Sequence, residues 1–154
     1  ASDTTKSIEV ILHTVKKLKL EGSICLMQPT SPLVSAEDIK NACKIHLSSG
    51  ESVLSVQKSS FRAANTCKLS NENKMNFLKK NIGLPRQQND YFYELNGAIF
   101  LNKIKKIYET DTLSPENSKA LIMPNYRSID IDDMYDWAMA ELIINNKAYF
   151  DNSN

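Results

Sequence analysis

Apolar positions near the start of the chain recur at helical spacing: Ile8, Ile11, Leu12, Val15 and Leu18 fall on one stripe. This predicts an amphipathic first helix, with a side-chain oxygen of Ser2 or Asp3 placed to cap it. After Gly22 the period changes. Ile24-Cys25-Leu26-Met27 is a short continuous apolar run that ends in Gln28-Pro29-Thr30-Ser31-Pro32, the pattern of a buried strand feeding a loop. Ser35-Ala36-Glu37-Asp38 opens a second helix, which carries Ile39, Ala42, Cys43 and Leu47 and stops near Gly50. Residues 52–56 are rich in β-branched side chains and read as a second strand. Helix and strand thus alternate, so an α/β layer fold with a mainly parallel sheet is expected, because parallel neighbours need helical crossovers.

The rhythm breaks between residues 58 and 90. Residues 67–69 and 75–78 pattern as a hairpin about 70–73, followed by a polar loop, and the excursion is expected to leave the domain as an arm. The layered pattern then resumes. A strand over 95–101 runs through Asn96-Gly97, and Ile104, Ile107 and Tyr108 mark a short helix. A small strand at 120–123 and an extended segment at 128–132 precede a last helix with Met134, Trp137, Ala138, Glu141 and Leu142. The tail 151–154 is expected to fray.

Composition narrows the function. The 154 residues suit one domain with one core, and 42% hydrophobic against 24% charged residues is the balance of a folded chain. Nineteen basic and eighteen acidic residues leave a net charge of +1, which supplies no positive field for nucleic acid. No apolar run approaches the ~20 residues of a membrane span, and the N-terminal Ala-Ser-Asp-Thr-Thr-Lys has no secretion-signal character. A cytoplasmic protein with neither nucleic-acid nor membrane partner is therefore expected. Cys25, Cys43 and Cys67 are odd in number with no C-x-x-C pair, so they read as reduced thiols, the first two as small core residues.

Candidate chemistry sits at the turns. Gln28 to Pro32 leaves the end of a strand, the edge where open α/β sheets bind ligands, and two prolines hold the Gln28 amide in place. Asp130 and Asp132 lie two apart. On a strand both carboxylates would face one side, a hard-oxygen pair suited to Mg²⁺, although Asp132 or Asp133 is also placed to cap the last helix. Arg86 stands in a polar loop with a fork suited to carboxylates. Asn96-Gly97 reads equally as a turn or bulge, and His13 and His46 read as structural.

Taken together, Gln-Pro-Thr-Ser-Pro-Leu at 28–33, Pro-Arg-Gln-Gln at 85–88, Asn-Gly-Ala-Ile-Phe at 96–100 and Ser-Ile-Asp-Ile-Asp at 128–132 resemble the acylneuraminate cytidylyltransferases, or CMP-sialic acid synthetases. The resemblance implies a Rossmann-like nucleotidyltransferase layer fold, with residues 58–90 as a protruding dimerisation arm that crosses to the neighbouring site of a homodimer. It implies transfer of CMP from CTP to a nine-carbon 2-keto sugar acid with release of pyrophosphate, Mg²⁺ screening the phosphates. Matched residue by residue, Gln28 and Asn96 would hydrogen-bond the sugar, Arg86 would hold its carboxylate, and Asp130 with Asp132 would hold the metal.

The family's pattern also includes a leading strand and a basic, glycine-containing loop around the triphosphate, which this sequence does not contain. The 154 residues alone are therefore expected to make no CMP-sugar. Val34 stands where arginine often follows the 28–33 string, Glu94 where arginine often precedes Asn-Gly, and Lys68 only near the arm's sugar-binding lysine. These departures leave legionaminic, pseudaminic and other keto sugar acids open. The alternatives are a Kdo or other sugar nucleotidyltransferase, and a non-catalytic fragment that dimerises and binds sugar acid.

Overall fold

The computed structural model describes residues 6–59, 67–77 and 92–151. The chain divides into two compact units, one of Ala1–Gln57 with Leu95–Asn154 and one of Lys58–Glu94.

In the larger unit, α1 (Ser7–Leu18) buries Ile11 and Val15 and begins at Lys6 without a side-chain cap. Ser2 and Asp3 lie outside the described residues. β1 (Ser23–Met27) leads through the 28–33 loop to α2 (Ala36–Ser49), which opens on a capping box of Ser35 and Asp38 and closes on Gly50 in a left-handed conformation. β2 (Val53–Lys58) follows, and after the second unit come β5 (Tyr93–Lys103), α3 (Ile104–Thr110) and β6 (Lys119–Ile122).

Successive side chains on β1 serve opposite faces, as the two-residue period of a strand requires. Ile24 and Leu26 pack with Ile11 and Val15 of α1 and Ile104 and Ile107 of α3. Cys25 packs the other way, into the main core of Ala42, Val53, Ala98, Ile99, Leu101, Leu121 and Met123, where Cys43 also lies. Helices therefore cover both faces of the sheet. The His46 ring joins α2 to β1: its Nδ1 lies 2.6 Å from the Glu51 carbonyl, which only accepts, so Nε2 accepts from the Ser23 hydroxyl at 2.8 Å. Its role is structural, as its position near a helix end suggested.

The sheet order is β1-β5-β2-β6. β1 and β5 are antiparallel, with Ser23 opposite Lys103 and Met27 opposite Ile99, whereas β2 and β6 are parallel, with Val53 opposite Lys119. β5 also runs against β2, since Ser55 meets Ile99 while Ser59 meets Phe92. The expected mainly parallel sheet is thus corrected to a mostly antiparallel one. The cause is long-range: β1 and β2 are joined by a helical crossover, but the 11-residue β5, later in the chain, lies between them in the opposite sense.

The smaller unit contains the expected hairpin. β3 (Cys67–Leu69) and β4 (Met75–Phe77) pair antiparallel, with Cys67 opposite Phe77. The turn closes through the Ser70 amide to the Lys74 carbonyl at 3.0 Å, and Asn73 takes a left-handed φ of 60°, which asparagine tolerates.

One further correction lies near the C-terminal end. Residues 128–132, read as an extended segment, form no strand. The Ser128 hydroxyl donates to the Pro124 carbonyl at 2.9 Å, closing a turn over the 3₁₀ element Asn125–Arg127, and the Ile131 amide donates to Thr30 rather than to a sheet partner. After α4 (Met134–Asn145) comes a short α5 (Lys147–Asp151), held where Phe150 stacks on Tyr126 and the Tyr126 hydroxyl donates to Asp151 at 2.9 Å; of the tail expected to fray, residues 152–154 lie outside the described residues.

Candidate functional site

Because β5 runs against its neighbours, its N-terminal half lies at the same sheet edge as the C-terminal ends of β1, β2 and β6. A cleft of about 550 Å³ opens there, lined by Gln28 and Gln57 from the ends of β1 and β2, by residues 95–97 and Phe100 of β5, and by Asn125, Ser128, Ile129, Asp130, Asp132 and Asp136. Four of the five residues singled out from sequence, Gln28, Asn96, Asp130 and Asp132, therefore meet in one place. Arg86 lies outside the described residues.

Gly97 explains how two of them come close. Its φ of +74° belongs to the left-handed region, and a Cβ there would lie 2.6 Å from Gln28 Oε1 and 3.4 Å from Asp130 Oδ2. The missing side chain leaves room for an amide and a carboxylate to converge over the backbone. The loops that carry them are tied directly, through the Ile131 amide to the Thr30 carbonyl at 2.8 Å.

The three carboxylates in the cleft differ in their surroundings. Asp130 Oδ1 is buried with no hydrogen-bond partner among the described residues. Asp133, not Asp132, caps α4: its Oδ1 accepts the amides of Tyr135 at 2.7 Å and Asp136 at 3.0 Å, so the Asp132 carboxylate is left out of the cap. Asp136 Oδ2 in turn accepts the amides of Asp132 at 3.1 Å and Asp133 at 3.2 Å. Sequence reasoning missed Asp136 as a cleft residue, although its spacing from Asp133 is that of a capping box.

Among the described residues no Lys, Arg or His lines the cleft, and no cluster of three or more His, Cys, Asp or Glu side chains is arranged to hold a metal. The donors present still fit Mg²⁺, which is held by one or two carboxylates and completes its shell with water and phosphate. A buried carboxylate oxygen without a donor is what such a cation would satisfy.

Asn96 stands apart from the others. It lines the cleft but is only 6% exposed. Its Oδ1 accepts from the Ser55 hydroxyl at 2.6 Å and the Ala98 amide at 3.2 Å, and its Nδ2 donates to the Ser128 hydroxyl at 2.9 Å.

Amides and carboxylates are thus gathered at one edge of an α/β sheet, the edge where open α/β folds commonly bind ligands. No family model matches the chain. Individual relatives do. Over 152 residues, 94% of the chain, it is 31% identical to the CMP-N,N'-diacetyllegionaminic acid synthase of Legionella pneumophila, and it covers 65% of that protein. Over 149 residues, 96% of the chain, it is 29% identical to the N-acylneuraminate cytidylyltransferase of Escherichia coli O18:K1:H7, and it covers 36% of that one. The chain thus spans less than two thirds of the length of either relative. Over nearly its whole length the chain is thus similar to sugar-acid cytidylyltransferases. No helix among the described residues is long and apolar enough to cross a membrane.

Proposed function

We propose that the chain serves the transfer of CMP from CTP to a nine-carbon 2-keto sugar acid, sialic acid or a relative, with release of pyrophosphate, on a Rossmann-like nucleotidyltransferase fold. The observation that supports this reading most is convergence: Gln28, Asp130 and Asp132, from strings far apart in sequence, line one cleft, and Asp130 Oδ1 is buried with no hydrogen-bond partner among the described residues.

In this reading Asp130 and Asp132 hold Mg²⁺, which when bound neutralises charge on the phosphates of CTP. The Gln28 amide orients the sugar acid by donating to and accepting from its hydroxyls. Asp136 holds the backbone beneath Asp132, so the two carboxylates keep their spacing while the substrates are brought into line. Phosphoryl transfer asks for positioning and charge neutralisation more than covalent help. The described lining carries no cation, so the carboxylate of the sugar acid needs one from elsewhere. Arg86 fills that role in this proposal, on a dimerisation arm at 58–90 within a homodimer.

The test is pyrophosphate release from CTP and Mg²⁺ with a panel of keto sugar acids, using both the 154-residue chain and the whole product of its gene. The whole product is expected to turn over one nine-carbon acid, and the 154 residues alone none. Release with Kdo and with no nine-carbon acid would favour the related eight-carbon enzyme instead, and turnover by the 154 residues would refute the need for further triphosphate-binding groups.

A further inference from the structure

Beneath the cleft runs a buried relay of Ser55, Asn96 and Ser128, whose exposures are 1%, 6% and 4%. Its polarity is set from both ends. The Pro124 carbonyl can only accept, so the Ser128 hydroxyl gives it its proton at 2.9 Å and offers Asn96 a lone pair. The Ile99 amide can only donate, at 2.7 Å, so Ser55 Oγ accepts there and its proton goes to Asn96 Oδ1 at 2.6 Å, nearer than the Ile99 carbonyl at 3.3 Å. With Ser128 accepting from its nitrogen side and Ser55 and Ala98 donating to its oxygen side, the Asn96 amide has one orientation. Its remaining amide hydrogen meets Met123 Sδ, 3.6 Å from Nδ2. The oxygen has two donors and the nitrogen two neighbours, so the group is engaged inside the protein.

The relay ends two residues before Asp130. On the other side of Asp130 the Ile131 amide is held by Thr30. The segment is therefore pinned on both sides of the carboxylate whose own Oδ1 has no partner among the described residues. We infer that Asn96 and Ser128 are positioning residues that aim Asp130 at a divalent cation, and that Asn96 does not itself bind the sugar. This rests on the proposed cytidylyl transfer for its metal, but not for its test. Partners behind a metal ligand commonly change affinity about 10–100-fold when removed.

The experiment is Mn²⁺ titration of the whole gene product by electron paramagnetic resonance, without nucleotide or sugar, for wild type, Ser128→Ala, Asn96→Ala and the double variant. Sugar-acid KM and kcat are measured alongside. Mn²⁺ affinity should fall about tenfold in each single variant and little further in the double, because both break one relay. The sugar KM should stay within about twofold of wild type while kcat falls. Unchanged Mn²⁺ affinity in Ser128→Ala overturns the inference, as does a wild type that binds no Mn²⁺. An Asn96→Ala protein with a tenfold higher sugar KM, beside a Ser128→Ala protein with a normal one, returns Asn96 to direct sugar contact and also overturns it. If Asn96→Ala does not fold, Ser128→Ala, which removes one buried oxygen, decides alone. A protein that binds Mn²⁺ as expected but transfers no CMP overturns the proposed function and leaves the relay standing.

Discussion

Helices α2 and α4 both begin on a capping box, Ser35 with Asp38 in one and Asp133 with Asp136 in the other. In α2 the second carboxylate is closed off. Asp38 is 4% exposed; its Oδ2 accepts from the Ser35 amide and hydroxyl and from Arg127 Nε, and its Oδ1 accepts from Arg127 Nη2 at 2.9 Å. Burial raises the Asp38 pKa, but the hydrogen bonds from Arg127 and Ser35 outweigh it and hold the carboxyl below its ordinary value. In α4 the second carboxylate accepts two backbone amides and faces the cleft beside Asp130 and Asp132. The same local device therefore yields a neutralised carboxylate that braces the fold and a carboxylate that lines an open cleft. What differs is a guanidinium 89 residues away in sequence.

Breaking the closed side should have the largest effect. Asp38→Ala strands the partly buried Arg127 guanidinium, and loss of one partner of such a pair costs about 3 kcal/mol or more. Urea unfolding is expected to show that loss, and a change below about 1 kcal/mol would mean that the pair behaves like an exposed one. The same carboxyl gives an acid signature. A pKa depressed in the folded state contributes stability above the unfolded value of about 3.9, and this is lost as pH falls through the folded value. Wild-type stability should therefore fall more steeply below about pH 4 than that of Asp38→Asn.

The open side should respond in turnover instead. Asp132→Asn in the whole gene product is expected to lower kcat at least ~100-fold while urea stability changes by under about 0.5 kcal/mol, because the residue is exposed and outside the helix cap. Normal turnover would make Asp132 a bystander in the cleft. The smallest of these effects is expected at Gly97→Ala. The new methyl meets Gln28 Oε1 and strains a left-handed backbone, so the sugar KM should rise about tenfold by steady-state kinetics with a modest drop in melting temperature. An unchanged KM would detach Gln28 from the sugar.

Much of this was legible locally. The Ser35 and Asp38 box, the hairpin about 70–73 and the strand through Asn96 all follow from patterns a few residues long, and the structure places each where the pattern put it. The direction of β5 was not legible, because it depends on which strands a distant segment separates. Ile129 and Ile131 alternate as a strand would, yet the turn closed by Ser128 on Pro124 and the tie to Thr30 decide otherwise. For the candidate site, the strings at 28–33, 96–100 and 128–132 marked residues that the fold brings to one cleft. Nothing in them distinguished an Asn96 amide that is fully engaged from a Gln28 amide that stands beside a carboxylate over bare backbone.

That bare backbone also bears on how relatives of this chain can vary. Position 97 has no room for a methyl while a long amide crosses it from position 28. A lineage that gains a side chain at 97 strains a left-handed backbone and must shorten or re-route the side chain at 28. Aligned across many relatives, the two positions should therefore tend to change together, and the carboxylate at 130, 3.4 Å from where a methyl at 97 would sit, should tolerate either pairing.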